Sequence, residues 1–394
     1  MKRIGLGLMI LAFGLGLRGS GLPVLQAHGP GGDDPGPELG GPLVTIDHLV
    51  PHTSTALANR GELVHLFVRE RVHGDHSRRP VVLMIEGATV PTVPIFDLHF
   101  QDYDWMDFLA RAGFDVFAMD LQGYGFSHRP RMDDPCNTQP SQQSLLTPYP
   151  LSGPCPASYP FKMAIQSDWD EIDRVVDYLR EQRGVEKVSL VAWSRGGPRA
   201  GGYVAHHPEK VDKLFLYSPA MYNRTGPSDP PPLPQPGSLM QLGRVPGVFA
   251  NWDAQVGCVN QFVPEIRPAL GSAILESDQL GATWGDGQSF RAPLQNTLWG
   301  WNRDAAQLID VPTLIIRGQL DTTAPEPPQQ DLFADLGTDQ KVFVSVACAS
   351  HNLVWENQHM ILLLASREWL REGTFQDRRT GSFFVDAAGR VEEK

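Results

Sequence analysis

Strands that alternate with helices along most of the chain predict an α/β fold. It is a mostly parallel sheet with helices on both faces and a cap inserted late in the order. Three features carry this reading. Val81-Val82-Leu83-Met84-Ile85 is a continuous apolar run bounded by Pro80 and Gly87, the pattern of a strand buried on both faces. Val188 to Trp193 is a second β-rich run, and it stops at Ser194-Arg195-Gly196-Gly197 before a helix-permissive stretch. The segment between Tyr217 and Thr313 is too long for an ordinary loop.

In chain order, two β-type runs come first, near Leu43 to Ile46 and Leu63 to Val68, and the Val81 to Ile85 strand follows. A helix is expected around Trp105 to Ala112, then a strand at Val116 to Met119. Ile172, Val175, Val176 and Leu179 recur at helical spacing, which predicts an amphipathic helix from about Ser167 to Gln182, capped by Ser167 or Asp168. The Val188 strand and its helix come next, then Leu214 to Tyr217, Thr313 to Ile316 and Val342 to Val346, and a last helix over Leu353 to Arg371. The long insertion opens on Pro230-Pro231-Pro232-Leu233-Pro234-Gln235-Pro236, a stiff polyproline-like linker. It also holds Trp252, Trp284, Trp299 and Trp301. These four are the expected substrate-contacting residues of a cap over the carboxyl ends of the strands, where ligands bind in open α/β sheets. The competing reading is that they fill a small cap core. The division expected is 28–221 for the first part of the core, 222–303 for the cap and 304–394 for the last part.

Composition restricts the partners. With 394 residues, 41% hydrophobic and 20% charged, the chain is long and apolar enough to bury a core. Its formal net charge of −12, with no clustered Lys or Arg, disfavours nucleic acid and anionic membrane surfaces. A small, neutral molecule is the expected partner.

Lys2 and Arg3 precede an apolar run from Ile4 to Leu17, and small or neutral residues follow near Leu25-Gln26-Ala27. That order is the pattern of a secretory signal peptide over 1–27, which places the mature protein outside the cell or in the periplasm. A membrane anchor is the alternative, although the run is short for a span. Export permits disulfides, and the four cysteines allow three pairings. Cys136 and Cys155 bracket a Pro, Ser and Gln-rich loop that a bridge would staple, which leaves Cys258 for Cys348. No C-x-x-C and no tight histidine cluster suggests a metal.

The Val188 run is the sequence form of a nucleophile elbow, where a sharp strand-to-helix turn thrusts a serine oxygen upward. Positions two before and two after Ser194 must be small; here they are Ala192 and Gly196. An activated serine needs a base, and the base needs an orienting acid. In this strand order the acid belongs just after the next-to-last strand and the histidine just after the last. Asp321 and His351 occupy those places, while Asp304 and Asp310 precede the strand and would project from its other end.

The chain here resembles the α/β-hydrolase superfamily, in particular its capped serine esterases, from about residue 60 to 372. The matching pieces are V-V-L-M-I-E-G-A at Val81 to Ala88, D-L-Q-G-Y-G-F-S at Asp120 to Ser127 and A-W-S-R-G-G at Ala192 to Gly197. V-P-T-L-I-I-R-G-Q-L-D at Val311 to Asp321 and A-S-H at Ala349 to His351 complete them. The resemblance implies an eight-stranded sheet, a triad of Ser194, Asp321 and His351, and an oxyanion hole from the backbone N–H groups of Ala88 and Arg195. Many relatives carry His-Gly where this chain has Glu86-Gly87. Glu86 either pairs with an arginine such as Arg195 or braces the loop, and Asp120 is expected to tie down its Gly-rich loop.

A serine nucleophile suits acyl transfer and disfavours dehalogenase or epoxide-opening chemistry, which uses aspartate in this fold. The expectation is a cofactor-free esterase acting on a neutral, partly apolar ester. The alternatives are a lactonase or amidase with the same triad, or a non-catalytic binding protein on the same fold.

Overall fold

Seven strands run parallel through the middle of the sheet, and what places them is the alternation of side chains along each. The computed structural model describes residues 41–74, 79–294 and 297–394; the expected signal peptide lies outside these. Strands β1 (Leu43–Thr53) and β2 (Leu63–His73) form an antiparallel hairpin, and β3 is Val81–Ile85. Helices α1 (Thr92–Phe96) and α2 (Trp105–Arg111) lead to β4 (Asp115–Met119). After a long loop come α3 (Ile165–Arg183), β5 (Val188–Trp193), α4 (Gly202–His206) and β6 (Val211–Tyr217). The insertion holds β7 (Met240–Arg244), α5 (Val245–Asp253), α6 (Ile266–Glu276) and β8 (Ser289–Pro293). Then follow α7 (Arg303–Ala306), β9 (Thr313–Gly318), α8 (Glu326–Asp335), β10 (Lys341–Val346), α9 (His359–Glu372), β11 (Gly381–Val385) and β12 (Val391–Glu393).

The sheet order is β1-β2-β4-β3-β5-β6-β9-β10-β11-β12, ten strands where the resemblance implied eight. The additional pair is β11, parallel to β10, and β12, antiparallel to β11. Along β3, Val82 and Met84 enter one core while Val81, Leu83 and Ile85 enter the other. Along β5, Val191 and Trp193 oppose Val188, Leu190 and Ala192 in the same way. Period-two alternation with both faces apolar is what a central parallel strand requires. Helices α2 and α9 cover the first face through Trp105, Leu109, Leu362 and Trp369. Helix α3 covers the other with Ile172, Val175, Val176 and Leu179.

Helix α3 begins at Ile165, before the expected Ser167, and neither Ser167 nor Asp168 caps it. Both face inward: the Ser167 hydroxyl donates to the Ala164 carbonyl, and Asp168 accepts from Arg199. Within the insertion, β7 and β8 pair antiparallel. Their flank joins Met132, Leu146, Leu151 and Met163 of the long loop after β4 in a third apolar cluster with Trp284. Cys136 and Cys155 bridge within that loop, at a Cα–Cα distance of 5.4 Å. Cys258 and Cys348 bridge the insertion to the loop after β10, at 5.6 Å. Among the described residues no helix is long and apolar enough to cross a membrane.

Candidate active site

Strand β5 ends at Trp193, and Ser194 is forced to φ 57°, a left-handed conformation that non-glycine residues adopt only under constraint. The constraint is visible on both sides of the residue. Its N–H donates to the Tyr217 carbonyl at 2.9 Å, and its carbonyl accepts from Gly197 N at 2.9 Å and Ala220 N at 2.8 Å. A β-carbon on Gly196 would sit 3.0 Å from the Ala192 β-carbon and 3.0 Å from the Ile85 carbonyl. Alanine at 192 is therefore accommodated because 196 is glycine. Gly87 meets the same crowding, since a β-carbon there would lie 2.9 Å from that of Ser194.

His351 reaches the serine from the loop after β10. Its Nε2 lies 2.9 Å from Ser194 Oγ, and its Nδ1 lies 2.9 Å from Asp321 Oδ2. Asp321 follows β9, and its Oδ1 accepts from Ala324 N at 2.8 Å. A carboxylate only accepts, so Nδ1 carries the proton and Nε2 is left to accept from the hydroxyl. All three side chains are buried, with Ser194 retaining 7% exposure. Asp304 instead accepts from Ser228, and Asp310 is exposed at the turn before β9.

Residues that sequence reasoning did not single out hold the histidine loop. The His351 carbonyl accepts from the Tyr217 hydroxyl at 2.6 Å and from Trp193 Nε1 at 3.1 Å. Gln255, from the insertion, accepts through one Oε1 from His351 N at 3.3 Å and from Thr322 N at 3.2 Å. It thereby touches the backbone beside both the acid and the base. Glu356 accepts from Ser350 N and Oγ at 2.7 and 2.5 Å, from Trp252 Nε1 at 2.9 Å and from Gln261 Nε2 at 2.8 Å. The position of Trp193 and Tyr217 at strand ends was a signal of sorts; nothing local marked Gln255 or Glu356.

The N–H groups of Ala88 and Arg195 have no protein acceptor among the described residues. Their loop is fixed from below. Arg199 Nη1 donates to the Glu86 carbonyl at 3.0 Å and the Gly87 carbonyl at 2.6 Å, while its Nε donates to Asp168 at 2.9 Å. The arginine beside Glu86 is thus Arg199, at 3.6 Å from Oε1, and not Arg195. Glu86 is fully buried, accepts from Leu121 N at 3.2 Å, and is pushed up to about 8 by burial. It is a neutral brace near pH 7. Asp120 ties its loop by accepting from Thr92 N and Oγ1 and from Phe126 N.

The four tryptophans expected to meet substrate are all packed in the interior. Trp252 bonds Glu356, and Trp284 lies under the Arg291 guanidinium. Trp299 meets Trp169 edge-on, and Trp301 donates to the Ala220 carbonyl. No hydrogen bond or ring contact joins any of them to Ser194, Asp321 or His351 among the described residues. Apolar burial outcompetes solvent-facing placement for such large rings. Asp97, His99 and Asp104 come close enough together to suggest a cation site. The Arg71 guanidinium occupies them instead, at 2.6 Å from Asp97 and 3.1 Å from Asp104.

Residues 80–260 match a family model described as alpha/beta hydrolase fold. A meta-cleavage product hydrolase from Pseudomonas fluorescens IP01 superposes with a TM-score of 0.50 at 15% identity, covering 82% of this chain and 98% of that one. An esterase from Exiguobacterium antarcticum gives 0.50 at 14% identity, covering 82% and 100%. At these identities the likeness is one of fold. A poly(3-hydroxyalkanoate) polymerase subunit from Allochromatium vinosum is 33% identical over 95 residues, covering 21% of this chain and 24% of that protein.

Proposed function

We propose that the chain is a member of the α/β-hydrolase superfamily and an exported serine hydrolase that cleaves carboxylic esters through an acyl-enzyme, a reading supported by the family match over residues 80–260 and the shared fold. The observation that carries the proposal is the unbroken line Asp321–His351–Ser194, with 2.9 Å at each hydrogen bond. Attack by Ser194 Oγ on the ester carbonyl passes its proton to His351 Nε2, and Asp321 stabilises the imidazolium that results. The carbonyl oxygen gains negative charge and is received by the N–H groups of Ala88 and Arg195. Such preorganised donors are worth about 10²–10³ each in rate. His351 returns the proton to the leaving alcohol. Water then attacks the acyl-enzyme with His351 again as base, which frees the acid and restores the serine.

Export is supported by the charged-then-apolar N-terminus together with two disulfides. A fluorophosphonate probe should label Ser194, with no label on Ser194→Ala. The variant should lose about 10⁴-fold or more in turnover while keeping its fold. A panel of aryl and alkyl esters, lactones and anilides orders the substrate classes. An unlabelled wild-type protein that turns over none of them is a binding protein and the proposal fails.

A further inference from the structure

Trp193, the residue before the nucleophile, does more than hydrogen-bond the loop that carries the base. Its indole lies against the His351 imidazole, with ring centroids 5.3 Å apart and planes tilted by 34°. That is inside the distance of about 6 Å at which an aromatic face attracts a cation. The fold fixes the indole there. Trp193 ends β5 opposite Tyr217 in the parallel register, and the two rings stack at 5.9 Å with planes 13° apart. Trp355 stands edge-on to Trp193 at 5.4 Å, and Trp193 Nε1 donates to the His351 carbonyl at 3.1 Å. Trp193 is 4% exposed and His351 5%, so little water or salt screens the pair.

The neutral His351 ring of the resting site offers that face little charge to attract. Charge arrives only when Nε2 takes the Ser194 proton, and the attraction grows with it. An interaction stronger in the transition state than in the ground state speeds the step as well as bracing the fold. Asp321 meets the new charge at Nδ1, 2.9 Å away. Two guanidinium groups oppose it: Arg195 follows the nucleophile, and Arg317 Nη2 lies 3.3 Å from the Asp321 carbonyl. The indole face adds attraction from a second direction, without a further carboxylate that would have to be held ionised in the interior.

We propose that the Trp193 face carries part of the imidazolium charge on His351 and so sets the rate of Ser194 attack. The inference rests on the reading of Ser194 as nucleophile. The elbow turn restricts the volume at Ala192 and Gly196 and leaves the residue between Ala192 and Ser194 open. The contact with His351 gives that residue a chemical reason to be tryptophan.

The test follows phosphonylation of Ser194 by a fluorophosphonate on the full chain, which needs no knowledge of the natural ester. Oγ bonds to phosphorus, fluoride leaves, and the serine proton goes to His351 Nε2, so the same imidazolium forms. Mono-, di- and trifluorotryptophan are placed at Trp193 by nonsense suppression. Fluorine withdraws electron density from the ring face, changes its size little and keeps the Nε1 donor. The second-order labelling rate should fall in graded steps, roughly 5- to 30-fold over the series, while the melting temperature holds. The same analogues at Trp369, buried and bonded to the Leu214 carbonyl, should leave the rate unchanged. If the analogues at Trp193 do not fold, Trp193→Phe should label several-fold faster than Trp193→Leu, since both lose the hydrogen bond and only phenylalanine keeps a π face. An unchanged rate across the series, a loss complete at the first fluorine, or equal rates for Trp193→Phe and Trp193→Leu overturns the inference and leaves the nucleophile standing. Absence of labelling in the wild type overturns both.

Discussion

Gln255→Leu separates positioning of the triad from its chemistry. Gln255 touches no reacting atom, yet its Oε1 is the acceptor for the N–H groups of both Thr322 and His351. Leucine keeps the bulk and leaves two buried donors unpaired, each costing about 1–3 kcal/mol. The two bonds are long, at 3.2 and 3.3 Å, so the low end applies and the total is about 2 kcal/mol. Part of that cost is relieved if the two loops move to reach water, and such a movement displaces His351 from Ser194. A shift of about 1 Å at a catalytic group can cost about 100-fold. The expected result is a fall in kcat of about 10- to 100-fold with little change in KM. Gln255→Glu, which retains an acceptor oxygen, should recover part of the activity. Steady-state kinetics across pH, beside a denaturant titration, make the measurement. A Gln255→Leu enzyme that loses stability but keeps wild-type kcat refutes the positioning argument.

Two further outcomes follow from the same region. Reducing the Cys258–Cys348 bridge opens a loop of 90 residues that contributes roughly 4–5 kcal/mol in the chain-entropy model, and it frees the segment carrying His351 from the insertion. Activity should therefore fall at reductant concentrations that leave the circular dichroism spectrum intact; simultaneous loss of both would show no special link to the site. Glu86 holds its proton up to about 8 in the fold, against an ordinary value of 4.5. The folded protein thus binds the proton more tightly than the unfolded chain. Its stabilising contribution is complete below about pH 4.5 and is lost as pH rises toward 8. Glu86→Gln should reduce that decline in melting temperature, without abolishing it, because Glu171 titrates in the same direction. Parallel curves for variant and wild type would contradict a protonated Glu86.

Where the sequence could be read and where it could not follows from how local each cause is. Strands β3 and β5 are legible because a strand buried on both faces leaves a continuous apolar run, and the chain order of serine, acid and base was legible through the resemblance to the α/β hydrolases. The start of α3 was misplaced because Ser167 and Asp168 have the chemistry of caps, and only the packed structure shows them turned inward. Strands β11 and β12 were missed because Gly381–Val385 is a short run whose partner, β10, had already been assigned as the end of the sheet. The support of His351 is illegible for a different reason. Its partners lie 96, 134 and 158 residues away in Gln255, Tyr217 and Trp193, so no window of sequence contains the pair. The tryptophans show the same limit, since their size predicts burial and not which element buries them. The arginines after the nucleophile carry the consequence furthest. Proximity in sequence made Arg195 the natural partner for Glu86, yet Arg199, one turn onward, reaches back under the loop and takes Glu86, Gly87 and Asp168 together.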